Sequence, residues 1–485
     1  MGWLATAQGP RASAQDARTQ FAIFAFLLAM AVLFHQSRLG DWQPLSLHTL
    51  VSLTAIAVLV RPSSLHRLLV MLVVQLVSVA IDAPSVVNHW LLLALTTLGL
   101  GIALGAAAIR RRPWLSDTGE VFRRIAPVIR IQVVAVYLFA VLAKLNTDFL
   151  DPALSCAALM SEDLLNKGPL GLHAAWQDGP AIAGTLLVEA LLPIGLLVRR
   201  TRLVAVMVGA GFHTVLAVAG HVPFSGFAFA FYALFLPDDV PERLRHLLRD
   251  VPALRTLAAW AQGFAHSPLA LPLLGGAWVA VAAGVTHGPQ AFATAVERSA
   301  VVAFVAYAAA LGALVVLLLR RGGPGTYGPG TLRLAGPLWA IAPVLVLLNA
   351  ATPYLGLKTQ SAFTMYSNLQ TEPGRWNHAL LPESIRRFDL QDDRVTVLRS
   401  SDERLAALAR DRTELIEHDF RTYVTERPGI SVTYRQAGRV TTAAGDTGLS
   451  RPALLERKLL LFRDVPVQER NSCRNRRPGG PAQGS

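Results

Sequence analysis

Most of this chain alternates between long runs of apolar residues and short polar stretches. Eleven runs are apolar enough to predict helices that span or partly span a lipid bilayer. Several are shorter than the roughly 20 residues that a perpendicular spanning helix needs, so some helices are expected to be tilted or re-entrant. The sequence therefore predicts an all-α multi-pass integral membrane protein of about eleven helices. The runs lie near residues 21–34, 45–60, 68–81, 90–109, 125–145, 181–198, 203–220, 222–236, 269–285, 300–319 and 334–350.

The pattern changes after about residue 352. Residues 394–440 contain a helix-period stretch and then alternating β-branched residues with Gly-containing turns, which is typical of a small α+β domain. The last residues, RNRRPGGPAQGS, have no apolar content to bury and are predicted to be disordered. The predicted segments are an N-terminal tail at 1–18, a transmembrane core at 19–240, additional transmembrane helices at 241–352, the small C-terminal α+β domain at 353–470 and a disordered tail at 471–485.

Composition and charge support a membrane location. Hydrophobic residues make up 53% of the chain, charged residues only 16%, and the mean hydropathy is +0.42, which excludes an ordinary water-soluble protein. The net charge of +13 does not indicate nucleic-acid binding, because the arginines cluster between apolar runs without interleaved aromatic residues. These clusters fall in alternate loops. The positive-inside rule therefore predicts a cell-membrane protein with a cytoplasmic N-terminus and an extracytoplasmic C-terminal domain.

The chain has two cysteines, Cys156 and Cys473, and no CxxC or Cys/His spacing that would close around zinc. No metal site is predicted. The predicted topology places both cysteines outside, where a disulfide would be permitted. The sequence leaves open whether they pair.

Ionisable residues inside the predicted bilayer are candidates for function, because each is costly there unless it is paired. Glu189 and His213 lie in the middle of neighbouring apolar segments and could meet if the two helices are antiparallel. Lys144 and Tyr137 lie seven residues apart and therefore share one face of the helix predicted over 125–145. We expect Glu189 to have a buried partner, either His213 or Tyr137.

A second group of polar residues lies at helix ends that the topology places on the outer membrane face. Polar residues commonly collect there, because lysine anchors in the headgroups and histidine and asparagine cap helices. Lys144 is therefore either a snorkelling anchor or a buried base, and its position alone leaves both open. The group consists of Asn88, His89, Lys144 and His221.

Three stretches carry a resemblance to a known family: YLFAVLAKLNTDFL at 137–150, NHWLLLAL at 88–95 and FHTVLAVAGHVPFSGFAFAFYALFLP at 212–237. They resemble segments of the horizontally transferred transmembrane (HTTM) family, which includes vitamin K-dependent gamma-glutamyl carboxylases. The resemblance covers about residues 19–240. Two features depart from it: Ala143 stands where the carboxylase has a second lysine, and the outer domain is smaller than the carboxylase's lumenal portion.

The resemblance implies a carboxylase-like enzyme with an outward-facing site, in which Lys144 is the general base that deprotonates a quinol. It implies that His89 and His213 are further catalytic residues. The implied cosubstrate is a reduced, vitamin K-like quinone, and the implied partners are membrane lipids and an extracytoplasmic protein or peptide. The residues expected to bind the quinol are Asn88, Tyr137, Glu189 and His221.

Two other functions stay open. A transporter would use the buried Lys, Glu and His as a proton or substrate path, whereas a non-catalytic scaffold or binding protein would need Lys144 only as an anchor. Neither inverted repeats nor a phosphate-binding loop is evident in the sequence. Convergence of Lys144, His89 and His213 on one apolar cavity would favour the enzyme. The segment 353–382 resembles bacterial HTTM proteins and is a candidate lid over such a cavity.

Overall fold

The structure is a computed structural model, and part of the chain lies outside what it describes. Most of the predicted N-terminal tail and nearly all of the predicted disordered tail fall there, so these two predictions stay untested. The described residues are 13–37, 46–166, 172–322, 325–327, 331–444, 449–467 and Cys473.

All eleven predicted apolar segments form helices. Three further helices, α6, α10 and α11, were not predicted from the sequence. The helices that precede the C-terminal sheet are α1 (Ala14–Gln36), α2 (Leu47–Val60), α3 (Leu65–Asp82), α4 (Asn88–Ile109), α5 (Thr118–Lys144), α6 (Cys156–Asn166), α7 (Asp178–Leu197), α8 (Arg202–Leu216), α9 (Val222–Tyr232), α10 (Val240–Asp250), α11 (Pro252–His266), α12 (Ala270–His287), α13 (Gln290–Gly322) and α14 (Ile341–Leu355).

Nine apolar helical stretches among the described residues are long enough to cross a membrane, and one of the nine is α8 together with α9, which a turn divides. The helix α2 has 14 residues, or about 21 Å, which is less than the ~30 Å of a bilayer's hydrocarbon core. The prediction of a helical, membrane-embedded protein is therefore confirmed in its coarse form. The number of crossings and the orientation of the termini stay predictions.

The helices α8 and α9 form a hairpin. The chain turns at Gly220, whose φ of 109° lies in the left-handed region that favours glycine. A Cβ added at Gly209 would lie 2.5 Å from the Tyr232 hydroxyl, whereas one straight helix would hold these residues roughly 35 Å apart. The two helices have 15 and 11 residues, or about 22 and 16 Å. Each is shorter than the hydrocarbon core, as expected for a re-entrant segment.

The chain packs as two compact units, which are described separately. Unit 1 consists of Met1–Ser78, Leu92–Ala135 and Ala190–Leu345, and unit 2 consists of Val79–Leu91, Val136–Glu189 and Val346–Ser485. The boundaries fall inside helices, so α3, α4, α5, α7 and α14 each contribute residues to both units.

In unit 1, aromatic packing surrounds the hairpin. Phe304 of α13 meets Phe34 and Phe229 edge-on, with ring centroids 5.1 and 5.4 Å away. Arg130 of α5 is also held here, because its Nε donates to the Leu234 carbonyl at 2.7 Å and its Nη1 donates to the Thr331 carbonyl at 3.2 Å. Both acceptors are backbone carbonyls of unit 1. Arg130 therefore stabilises the packing of this unit.

In unit 2, the residues after α14 form the predicted α+β domain. Its sheet is antiparallel in the order β4-β3-β1-β2-β5. The alternate residues Val395 and Val397 of β1 point to a core that includes Leu405 and Phe420, which is why a period of two in the sequence predicted strands. The elements are β1 (Arg394–Ser400), α15 (Glu403–Arg410), β2 (Thr413–Ile416), α16 (Glu417–Thr425), β3 (Ser431–Gln436), β4 (Arg439–Ala444), α17 (Leu454–Leu459) and β5 (Val465–Pro466).

The two cysteines are bonded to each other. Cys156 begins α6, and the disulfide joins it to Cys473 near the end of the chain. Both side chains are buried in an apolar cluster with Phe149 and Ile182. The structure therefore answers the question that the sequence left open.

Candidate functional site

Lys144 and Glu189 form a buried ion pair in unit 2. Lys144 is the last residue of α5, Glu189 lies in α7, and Lys144 Nζ is 2.8 Å from Glu189 Oε2. The side chains are only 4% and 12% exposed. A snorkelling lysine would hold its ammonium group in water or among headgroups. The structure therefore does not support the anchor interpretation of Lys144.

The pair also corrects one prediction. Glu189 does have a buried partner, as expected, but the predicted partners His213 and Tyr137 were wrong. The carboxylate meets Lys144 instead. A lysine and a glutamate satisfy each other's charge inside a low-dielectric region, whereas a tyrosine or a neutral histidine would leave the carboxylate without a counter-ion.

Asn146 holds the end of α5 just beyond Lys144. Its Nδ2 donates to the carbonyls of Ala143 and Ser367 at 2.7 and 2.6 Å. Its Oδ1 accepts from the backbone N–H groups of Asp148 and Phe149 at 3.1 and 2.8 Å. The side chain is fully buried, so this set of bonds replaces the water that would otherwise satisfy the helix end.

The segment predicted as a lid is fastened to the end of α5. Residues 146 and 378 form a β-bridge, and His378 Nε2 lies 2.9 Å from the Leu142 carbonyl. Asn377 Nδ2 donates to the Asn368 carbonyl at 2.9 Å, and the Asn368 side chain bonds the backbone at Leu154 and Cys156. Side-chain amides thus fix the segment at several points along its length. We therefore describe residues 359–381 as a clamp.

The protonation of His378 follows from its contacts. Its Nδ1 accepts from the backbone N–H groups of Leu380 and Leu381, both at 3.0 Å, so its Nε2 carries the hydrogen that is donated to Leu142. Burial lowers the pKa of His378. The neutral ring is therefore the form that fits the clamp.

The other predicted residues of unit 2 lie at the starts and faces of helices. Asn88 and His89 begin α4 and are 5% and 2% exposed. Asn88 Oδ1 accepts from the Phe363 N–H at 2.9 Å, so this residue also fastens the clamp. Tyr137 is buried on α5, two turns before Lys144. Of the predicted site residues in unit 2, Lys144 and Glu189 contact each other.

His213 and His221 belong to unit 1. The His213 ring is 1% exposed and lies among aromatic rings, 5.0 Å from Phe224 and 5.8 Å from Tyr232 between centroids. His221 ends the turn between α8 and α9. Because these residues and Lys144 lie in different units, the expected convergence of Lys144, His89 and His213 stays a prediction.

An apolar cluster lies beside Lys144. Ala143, Tyr354 and Leu369 are its buried members, and Phe139 and Trp376 pack against them. Tyr354 is 4% exposed, and its hydroxyl has no hydrogen-bond partner among the described residues. Tyr354 was not predicted to be a site residue, because a tyrosine at the end of an apolar run is also typical of an interfacial anchor.

Lys358 is a second residue that sequence reasoning missed. It follows α14 and is half-buried. Burial lowers its pKa from the ordinary 10.5 to about 8. Its sequence neighbours do not distinguish it, because desolvation depends on the fold around a side chain and is not visible in the local sequence.

We expect the replacement Lys358→Met to increase stability at pH 7. Between pH 8 and 10.5 the unfolded chain binds more protons at this position than the folded chain does, so the lysine makes stability rise with pH over that interval. Removing it should add about 1–3 kcal/mol at pH 7 and flatten this rise. Unfolding in detergent at a series of pH values measures both effects. An unchanged slope between pH 8 and 10.5 would contradict the assignment.

Unit 1 contains a cavity of about 730 Å³. Its walls are almost entirely apolar and come from α1, α8, α9, α10 and α13. None of the seven predicted site residues lines it.

No protein-family model, curated protein or solved structure matches this chain. The resemblance to the HTTM family therefore rests on the three stretches of sequence. Among the described residues, no group of three or more His, Cys, Asp or Glu side chains is placed to hold a metal ion.

Proposed function

We propose that this protein is a membrane-embedded, carboxylase-like enzyme that deprotonates a quinol or a similarly acidic lipid group, with Lys144 as the general base. The observation that supports this most directly is the buried contact between Lys144 Nζ and Glu189 Oε2 at 2.8 Å. Buried charged residues in membrane helices are usually functional, because they cost stability that an apolar pair would not.

The partner carboxylate supplies what a lysine base needs. A lysine accepts a proton only after it has lost one, and Glu189 Oε2 is close enough to take that proton from Lys144 Nζ. The neutral amine can then accept the hydroxyl proton of the substrate and become an ammonium again. The proton that left Lys144 stays on Glu189. The substrate's hydroxyl proton is now on Lys144, whose ammonium faces the oxygen that lost it. No net charge is created in the low-dielectric site.

The side chains around Lys144 are of the kinds that bind aromatic rings. The cluster beside Lys144 is apolar and aromatic, which suits a flat ring, and the buried Tyr354 hydroxyl is a polar group that a ring oxygen could satisfy. A bound quinol would supply the redox chemistry toward oxygen. The protein's own residues would orient it, exclude water and move its proton.

The test uses oxygen uptake in the presence of reduced 2-methyl-1,4-naphthoquinone, because a hydroquinone anion reacts with oxygen faster than the neutral form. In nanodiscs, we expect the wild-type protein to accelerate oxygen uptake. Lys144→Arg should reduce this acceleration by about 10²- to 10⁴-fold, because arginine keeps the charge but does not give up its proton. Glu189→Gln should have a similar effect, because it removes the acceptor of the lysine proton.

Asp239→Asn is the matched control. Asp239 pairs with Arg243 in unit 1, where Arg243 Nη2 lies 2.9 Å from Asp239 Oδ2 and the side chains are 11% and 19% exposed for Arg243 and Asp239, so its replacement also breaks a shielded ion pair and touches none of the proposed site residues. It should reduce stability and leave the rate of oxygen uptake per folded protein unchanged. If Lys144→Arg folds and keeps the wild-type rate, Lys144 is not the base, and the transporter and scaffold alternatives gain support. Extraction of the purified protein for bound quinones gives an independent check.

A further inference from the structure

The short helix α17 has two chemically different faces. At 100° per residue, Leu454, Leu455, Lys458 and Leu459 lie within one arc of about 140°. The three leucines are 61%, 72% and 63% exposed. Such a continuous group of exposed leucines is unusual on a small domain that is surrounded by water.

The opposite face of α17 is attached to the sheet domain. Arg457 Nη1 donates to Glu426 Oε1 at 2.7 Å, and Arg457 Nε donates to the Pro452 carbonyl at 3.1 Å. Glu456 caps the start of the helix, because its carboxylate accepts from the Ala453 N–H at 3.0 Å. These contacts hold α17 in one orientation, with its leucines pointing away from the domain.

The leucine face is joined to the end of α3. Lys458 Nζ donates to the Ile81 carbonyl at 2.7 Å, one of the last carbonyls of α3, which have no partner within the helix. The bond places α17 at the depth where α3 ends. A lysine at the end of a spanning helix commonly lies at the boundary between lipid tails and headgroups.

An exposed apolar stripe runs along α3 to this same end of the helix. Val70, Val73, Val77 and Ile81 are spaced by three or four residues and therefore share one helix face. Each is at least 45% exposed. On a helix that is long and apolar enough to cross a membrane, an exposed apolar stripe is where acyl chains pack. The stripe ends at the residue whose carbonyl binds α17.

We propose that α17 is an interfacial anchor that inserts Leu454, Leu455 and Leu459 into the bilayer surface where α3 leaves it. The lipid leaflet covers the leucine face of α17, because this face continues the apolar surface of α3 at the same depth. A face of leucines flanked by a lysine is typical of helices that lie in the membrane plane. The anchor would hold the sheet domain against the membrane.

Site-directed spin labelling tests this directly. Leu455→Cys provides one labelling site, because Cys156 and Cys473 are bonded to each other. In phosphatidylcholine vesicles, we expect the nitroxide at this position to collide more with oxygen, which concentrates in lipid, than with a water-soluble nickel chelate.

Val440→Cys is the matched control. Val440 is 57% exposed on β4. β4 is one edge strand of the sheet, and β5 is the other. Arg375 of the clamp donates to the Pro466 carbonyl of β5. A nitroxide at Val440 should meet the nickel chelate freely. Two outcomes would overturn the proposal. Equal access of nickel to both labels would mean that α17 faces water. A label at Leu455 that neither probe reaches would mean that protein, such as a second copy of this chain, covers the face.

Discussion

The double replacement of Lys144 by methionine and Glu189 by leucine is expected to leave the protein more stable than either single replacement. Each single replacement leaves one buried charge without its partner, which typically costs about 3–5 kcal/mol. The double replacement removes both charges and substitutes apolar groups of similar size, so most of that loss should be recovered. The free energy of unfolding in mixed detergent micelles, measured for all four proteins, gives the coupling energy of the pair.

Two comparisons test whether the coupling energy from this double-mutant cycle arises from burial of the ion pair. Glu189→Gln should cost less stability than Glu189→Leu, because the amide can still accept a hydrogen bond from Lys144 Nζ. The exposed pair of Arg18 and Asp117, whose side chains are 57% and 24% exposed, should show little coupling in a parallel cycle. If the double replacement is simply as destabilising as the two single replacements added together, the ion pair does not form in the membrane.

Reduction of the disulfide is expected to have the second largest effect on stability. The bond joins positions separated by 317 residues, and a cross-link over so long a loop restricts the unfolded chain strongly. Its loss should lower the free energy of unfolding by about 2–5 kcal/mol. Cys473 is also held by its backbone N–H, which donates to the Leu154 carbonyl at 3.2 Å, so both the disulfide and this hydrogen bond fix the position of Cys473.

The measurement is the melting temperature of the wild-type protein with and without reductant, beside the double variant Cys156→Ala, Cys473→Ala. We expect reductant to lower the melting temperature of the wild-type protein to that of the variant and to leave the variant unchanged. Mass spectrometry after thiol alkylation establishes that the bond was broken. A wild-type protein that is fully reduced and melts at the same temperature would contradict the prediction.

The helices of this protein were predictable because hydropathy is a local property. Each of the eleven apolar runs contains enough information to predict a helix, and the alternation around Val395 and Val397 predicts a strand in the same way. His221 was predicted to lie at a helix end, and the chain turns one residue before it, at Gly220, because glycine marks turns locally. The helices α10 and α11 were missed, because they are amphipathic and lack long apolar runs.

The site was only half predictable. Lys144 and Glu189 were both selected, because a charged residue within an apolar run is conspicuous in any sequence. Their contact was not predicted, since it depends on how α5 and α7 pack. Tyr354 and Lys358 were not selected at all. Their surroundings are built by residues distant in the chain, which no pattern at their own positions reveals.

The sequence by itself determined that this chain forms apolar helices followed by a small α+β domain, because burial of apolar side chains and the periods of helix and strand are encoded residue by residue. Only the tertiary structure decided that Lys144 meets Glu189, that Asn146 and His378 lock the clamp to the end of α5, and that Cys156 pairs with Cys473. These contacts join residues far apart in the chain. Their energies depend on distance and desolvation in space, which local composition does not specify.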